Sequence, residues 1–135
     1  EVECAAIGNP DAPETVFATR PGEILAGAEF YTYDDKYKNG VSQVVIPAQL
    51  SEQKLDEVQA LAKKAYLALG CCGLTRCDFF VERGTGRVLC NELNTFPGFT
   101  AISMYPKLME HEGLSFSALA DRLIELALHK RKGAY

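Results

Sequence analysis

Four polar residues stand at matched distances from Thr85. Asp78 lies seven residues before it and Glu92 seven after, while Arg76 and Asn94 are each nine away. Gly84 and Gly86 permit the positive φ of a tight reversal, so residues 77–82 and 87–93 read as the strands of a β-hairpin. Side chains alternate along a strand, so 76 and 78 share a face, and a turn symmetric about Thr85 sets 92 and 94 opposite them. One guanidinium, two carboxylates and one amide then project from a single patch.

Directly opposed residues have Cβ atoms roughly 4.5–5.5 Å apart, and two carboxylates held there repel unless a cation sits between them. Asp78, Glu92 and the Asn94 carbonyl offer only oxygen, which suits Mg²⁺ that keeps several waters and is completed by phosphates. Two such ions about 3.5–4 Å apart clamp a phosphoryl group, and Arg76 can grip it with its fork of donors. Without cations the opposed pair stores repulsion, so Asp78→Asn or Glu92→Gln is expected to stabilise the metal-free chain. The alternative is a solvated hairpin face that binds nothing, although Cys77, Phe79 and Val81 give the strand a proper core side. Both readings stand at this level. The following loop, residues 95–100, contains Gly98, where backbone can approach a ligand closely and present N–H donors to an oxyanion; it reads equally well as a connecting turn.

The elements that must position these residues are legible from periodicity. Strand-like runs occur at 2–7, 15–19, 29–33 and 43–46, with breaks at 9–11, 20–22 and 38–40. From Ser51 to Leu69, residues Leu55, Val58, Leu61, Ala62, Ala65, Tyr66 and Leu69 mark one helical face, with Ser51 as N-cap and Gly70 as terminator. A last helix spans 116–130, with Ser115 as N-cap and Leu114 stapled against Leu119. The order of sheet, helix, hairpin, loop and helix predicts an α+β domain over residues 1–132 with a short tail at 133–135. Its sheet is expected to be largely antiparallel with the helices packed on one side.

Composition narrows the function. The 135 residues are 47 % apolar, enough for one ordinary core. A net charge of −4 without a basic stripe argues against nucleic acid as a partner, and the basic run at 129–132 suits the end of a helix. No 18-residue apolar run or signal peptide points to a membrane. Five cysteines without a Cys-x-x-Cys pair, and only two histidines, argue against a zinc site and for a reduced cytoplasmic setting. Cys71, Cys72 and Cys77 read as small buried apolar residues. The alternating run at 1–7 with no Met suggests an excised fragment of a longer protein.

Three blocks carry a resemblance. Thr75-Arg76-Cys77-Asp78, then Asn91-Glu92-Leu93-Asn94-Thr95-Phe96-Pro97-Gly98-Phe99-Thr100, then Ser103-Met104-Tyr105-Pro106, with their spacing, resemble the signature region of the D-alanine–D-alanine ligases of the ATP-grasp class. The likeness runs from Glu1 through Lys36-Tyr37 to the last helix. It implies that Asp78, Glu92 and Asn94 ligate two Mg²⁺ ions, with Mn²⁺ as a substitute, and that Arg76 holds the transferred phosphoryl group. It implies that Glu1 binds the ATP ribose, that Lys36 reaches the phosphates and that Tyr37 helps close a loop over the site. Gly98 would donate its N–H to the oxyanion, while Ser103 and Met104 hold the second amino acid. The first D-alanine's carboxylate would attack the γ-phosphate, and the second's amine would displace phosphate from the acyl phosphate, for peptidoglycan synthesis. A Met at 104 offers a serine hydroxyl no strong partner, favouring D-alanine over the D-alanine–D-serine ligases. The resemblance also implies an N-terminal and a central domain outside this chain, a homodimer when full-length, and a fragment inactive alone. The competing reading of the fragment is a non-enzymatic domain whose Asp78/Glu92 patch binds a structural cation.

Overall fold

The computed structural model describes residues 1–25 and 43–129. Six strands within them form one sheet: β1 (Val2–Gly8), β2 (Phe17–Ala18), β3 (Gly22–Leu25), β4 (Gln43–Val45), β5 (Gly73–Val81) and β6 (Val88–Asn94). Their order is β4-β3-β1-β5-β6, with β2 also paired to β1, and every pairing is antiparallel. A 3₁₀ turn, Pro13–Thr15, occupies the start of the run expected as a strand at 15–19, because Pro13 fixes the first helical position. The expected strand at 29–33 lies outside the described residues.

Among the described residues, three helices pack on this sheet: α1 (Glu52–Ala68), α2 (Met104–His111) and α3 (Phe116–His129). The caps of α1 are as expected, with the Ser51 hydroxyl accepting from the Lys54 N–H at 3.3 Å and Gly70 at φ +62° beyond its end. Ser115 caps α3 through the Ala118 N–H at 3.3 Å. Helix α2 replaces part of the stretch expected as loop. Pro106 sits in its first turn, where a missing N–H costs nothing, and Met104, Tyr105, Leu108 and Met109 bury one face.

The α+β class and the antiparallel sheet are as expected, but the helices lie on both faces rather than one. Strand β1 is buried at every residue, which a sheet covered on one side does not permit. Val2, Cys4, Ala6, Cys77 and Phe79 pack beneath Leu55, Val58, Ala62 and Tyr66 of α1. Ala5, Ile7 and Leu74 face the opposite way, toward Tyr105, Leu108 and Met109 of α2 and Leu119 and Leu126 of α3. A tyrosine pins each layer to the sheet. The Tyr66 hydroxyl lies 2.9 Å from the Gly8 and Gly73 carbonyls, and Tyr105 donates to the Ala6 carbonyl at 2.8 Å. Burial raises the pKa of both phenols, so both are neutral donors.

Candidate functional site

The hairpin β5–β6 brings the sequence-selected residues together, by a route that the count about Thr85 does not reveal. Near the turn, Val81 pairs with Val88, Phe80 with Leu89 and Phe79 with Cys90. Carried on unbroken, that register would set Asp78 against Asn91. A bulge between Asp78 and Phe79 leaves Asn91 as the extra residue, so Asp78 pairs with Glu92, Cys77 with Leu93 and Arg76 with Asn94. A one-residue slip turns a strand's side chains over, and the bulge applies that slip where it sets the two carboxylates side by side.

On its other edge β5 pairs with β1, where Glu3 is the partner of Asp78 and Ala5 the partner of Arg76. Two cross-strand rows result: Glu3, Asp78, Glu92, and beside it Ala5, Arg76, Asn94. The small Ala5 leaves room for the guanidinium to lean toward the acidic row. Arg76 donates to Asp78 through Nε at 2.8 Å and Nη2 at 2.7 Å, and its Nε lies 3.2 Å from Glu3 Oε2. Hydrogen bonding to Asp78 holds the Arg76 pKa above its usual value despite burial, helped by the charges of Glu3, Asp78 and Glu92. Asp78 is 1 % exposed and Glu3 3 %, whereas Glu92 is exposed. Asp78 is therefore no open solvated ligand but one limb of a buried ion pair, stabilised because both its oxygens are hydrogen-bonded.

Glu3 escaped selection from sequence, although a lone acid inside the apolar run Val2–Gly8 is a signal that could have found it. Glu1 joins the same cluster, since oxygens of Glu1, Glu3 and Asp78 all lie within 4.8 Å of one another. An oxygen-only donor set with carboxylates in excess over its one guanidinium fits a hard divalent cation. Asn94 lies beside it, its Oδ1 accepting from the Phe96 N–H at 3.0 Å, which folds the chain into the next loop.

That loop joins β6 to α2. An added Cβ on Gly98 would stand 2.9 Å from the Ser103 hydroxyl, so a side chain here would have to displace that hydroxyl. Ser103 stands at the N-cap of α2 but leaves the helix amides alone. Its hydroxyl instead accepts from the Thr100 N–H at 3.1 Å and shares a hydrogen with the Thr100 hydroxyl at 2.8 Å. Gly98 and Ser103 thus lie side by side. The Met104 side chain is 7 % exposed and packs in the core, with its sulfur against Gly22. The side chain on which the preference for D-alanine was argued is thus largely buried. Lys36 and Tyr37 lie outside the described residues.

A groove of about 470 Å³ opens at the far end of β1, between Ile7, Phe17, Leu114 and Arg122, and none of the selected residues lines it. The selected patch lies toward the other end of β1, where Glu3 pairs with Asp78.

The sheet, its bulged hairpin and the helices on it define the C-terminal region of an ATP-grasp protein. The model of the family described as D-ala D-ala ligase C-terminus matches residues 1–125, and the chain belongs to that family. It is 48 % identical over 132 residues to a D-alanine–D-alanine ligase of Caldicellulosiruptor bescii, covering 98 % of this chain and 35 % of that protein. With the enzyme of Prosthecochloris aestuarii the identity is 51 % over 130 residues, covering 96 % and 35 %. Among solved structures, the D-alanine–D-alanine ligase of Coxiella burnetii superposes with a TM-score of 0.75 at 39 % identity, covering 94 % of this chain and 31 % of that one. The VanG D-Ala:D-Ser ligase of Enterococcus faecalis gives 0.76 at 38 % identity, covering 93 % and 35 %. The chain thus spans about 35 % of the length of the curated relatives.

Proposed function

We propose that this chain is the part of an ATP-dependent D-alanine–D-alanine ligase that handles metal, phosphate and the second substrate. The observation that carries the reading is the Arg76–Asp78 pair, set by a bulge opposite Glu92 and Asn94 at the mouth of the Gly98 loop. Asp78, Glu92 and Asn94 would hold two Mg²⁺ ions, which supply charge neutralisation for the transferring phosphoryl group. Arg76 orients that group, its guanidinium already aligned by buried carboxylates. Glu1, exposed at the edge of the cluster, remains the candidate for the ATP ribose, and Lys36 and Tyr37 for phosphate contact and loop closure.

Attack of the first D-alanine's carboxylate on the γ-phosphate yields an acyl phosphate and ADP. The amine of the second D-alanine then attacks the acyl carbon and displaces phosphate. The Gly98 N–H is the donor for the oxyanion formed in that step. The second amino acid's carboxylate meets the Ser103 hydroxyl and the amides opening α2, where the helix dipole favours an anion.

Phe96 and Ile102 stand 92 % and 79 % exposed on the loop that carries Gly98, which suits a surface covered by the domains outside this chain. The fragment alone is therefore expected to be inactive and the full-length protein to act as a homodimer in the cytoplasm. The curated relatives support D-alanine as the second substrate, while the similarity to the D-Ala:D-Ser ligase keeps D-serine as the rival. The test is ligation by the full-length protein with ATP, Mg²⁺ and the two amino acids at equal concentration. D-Ala-D-Ala should dominate, and Arg76→Ala should lower kcat by about 10²–10³-fold. A dominant D-Ala-D-Ser product selects the rival; absence of any dipeptide overturns the ligase reading.

A further inference from the structure

Glu3 belongs to none of the assignments above, yet it lies as deep as Asp78 and touches the same guanidinium. Arg76 spends both Nε and Nη2 on Asp78, at 2.8 and 2.7 Å, and Glu3 Oε2 lies 3.2 Å from that Nε on the side away from β6. Burying a second carboxylate beside Arg76 carries a solvation cost that an uncharged residue at position 3 would not incur. Asp78, however, must share its two oxygens between Arg76 and a cation, which weakens its hold on the guanidinium. As it turns toward the metal and phosphate, the guanidinium would follow it or swing away unless another anion held it from behind.

We propose that Glu3 is a positioning residue of the ligase: it anchors the Nε side of Arg76 so that Asp78 can give itself to the cation while the guanidinium keeps its aim on the phosphoryl group. This rests on the ligase reading given above. The geometry favours it because Glu3 approaches from β1, a central strand buried at every residue, so the anchor is held by the core. Glu3 is 3 % exposed, so it is buried beside Arg76 rather than presented to solvent.

The experiment is a double-mutant cycle in the full-length protein, with Glu3→Gln, Arg76→Ala and the pair, reading kcat, KM for ATP and D-alanine, and the Mg²⁺ concentration for half-maximal rate. Glu3→Gln should lower kcat by about ten- to a hundredfold, the cost of a small misplacement, with both KM values nearly unchanged and the Mg²⁺ requirement raised. In the Arg76→Ala background the same substitution should cost less than about twofold, because a residue that acts through another has nothing left to act on. Glu3→Gln at the wild-type rate, or the same loss in both backgrounds, overturns the inference. Should Glu3→Gln fail to fold, Glu3→Asp, which keeps the charge but withdraws it by one methylene, carries the same comparisons. Arg76→Ala at the wild-type rate would instead remove the ligase reading, and this inference with it.

Discussion

Replacing Asp78 by Asn separates the structure from the sequence-based expectation most sharply. From the hairpin alone, either carboxylate is a source of repulsion, and neutralising either should stabilise the metal-free chain. In the structure Asp78 accepts two charge-assisted hydrogen bonds from Arg76 at 2.7 and 2.8 Å and is 1 % exposed. An amide in its place would keep one acceptor and turn an NH₂ toward the guanidinium, forfeiting roughly 1.5–3 kcal/mol of charged hydrogen bonding. Set against this is relief of repulsion with Glu92, about 0.2–1 kcal/mol, and Glu3 remains beside Arg76. The net is a destabilisation of about 1–2 kcal/mol, or roughly 4–8 °C in melting temperature for a domain of this size. Glu92→Gln should move the other way: Glu92 is exposed and opposes Asp78 directly, so removing its charge should raise the melting temperature by at most a few degrees. Thermal unfolding of the two variants and wild type in chelator, at low salt, measures both signs. Asp78→Asn melting at or above wild type would refute the reasoning, because the Arg76 pair could then contribute nothing to the fold.

Three further outcomes follow from the site and the core. Gly98→Ala should push the Ser103 hydroxyl off the Thr100 N–H, since the new Cβ would sit 2.9 Å from it; steady-state ligation by the full-length protein should show lower kcat and a raised KM for the second D-alanine, with KM for ATP unchanged. Burial pushes the Cys77 thiol up to about 12 and Cys4 upward as well, so at pH 8 a thiol reagent should label exposed Cys72 and Cys90 and reach Cys4, Cys71 and Cys77 only after unfolding. The same shifts set the sign of alkaline stability: the unfolded thiols lose protons near pH 8.5 while the folded ones hold them. Their contribution is complete below that value and is lost as pH rises toward about 12. Melting temperature should therefore fall above pH 9, less steeply in Cys77→Ala.

The elements legible in the sequence were those whose signals are local. Ser51 and Gly70 bound α1 because a hydroxyl cap and a left-handed glycine act within one turn. The faces of β5 followed from the alternation of Cys77 and Phe79 with Arg76 and Asp78. What lay beyond reach depends on partners distant in the chain. The alternating look of residues 1–7 hides that β1 is buried on both faces, a fact set by α1 on one side and by α2 and α3 on the other. The bulge at Asn91 leaves no composition signal, and counting from Thr85 arrives at the right pairs only because the bulge restores a symmetry that the turn itself lacks. The surroundings of Glu3 and Met104 were hidden for one shared reason: the strand pairing buries the first beside Arg76, and helix α2, which the sequence reads as loop, buries the second against Gly22.

The row Glu3, Asp78, Glu92 also explains how a domain with carboxylates on three neighbouring strands can fold before any ligand arrives. Exposure is 3 % and 1 % at the first two positions, and the third faces solvent. Charges that cannot be hydrated need a partner, and Arg76, in the adjoining row, reaches the two buried acids and no further among the ion pairs described. Glu92 can be hydrated, so its negative charge costs little without a bound cation. Among the described residues, Arg76 thus offsets charge at the buried end of the row, and no ion pair does so at its open end. A fourth acid, Glu1, adds to the exposed excess. Were the row uniformly buried, the metal-free domain would carry an uncompensated interior charge worth several kcal/mol. Were it uniformly exposed, Arg76 would have no rigid support from which to act on a phosphoryl group. On the proposed ligase reading, the gradient across three strands answers both demands and predicts that metal affinity resides mainly at the Glu92–Asn94 edge and guanidinium alignment at the Glu3 edge, with Asp78 common to the two.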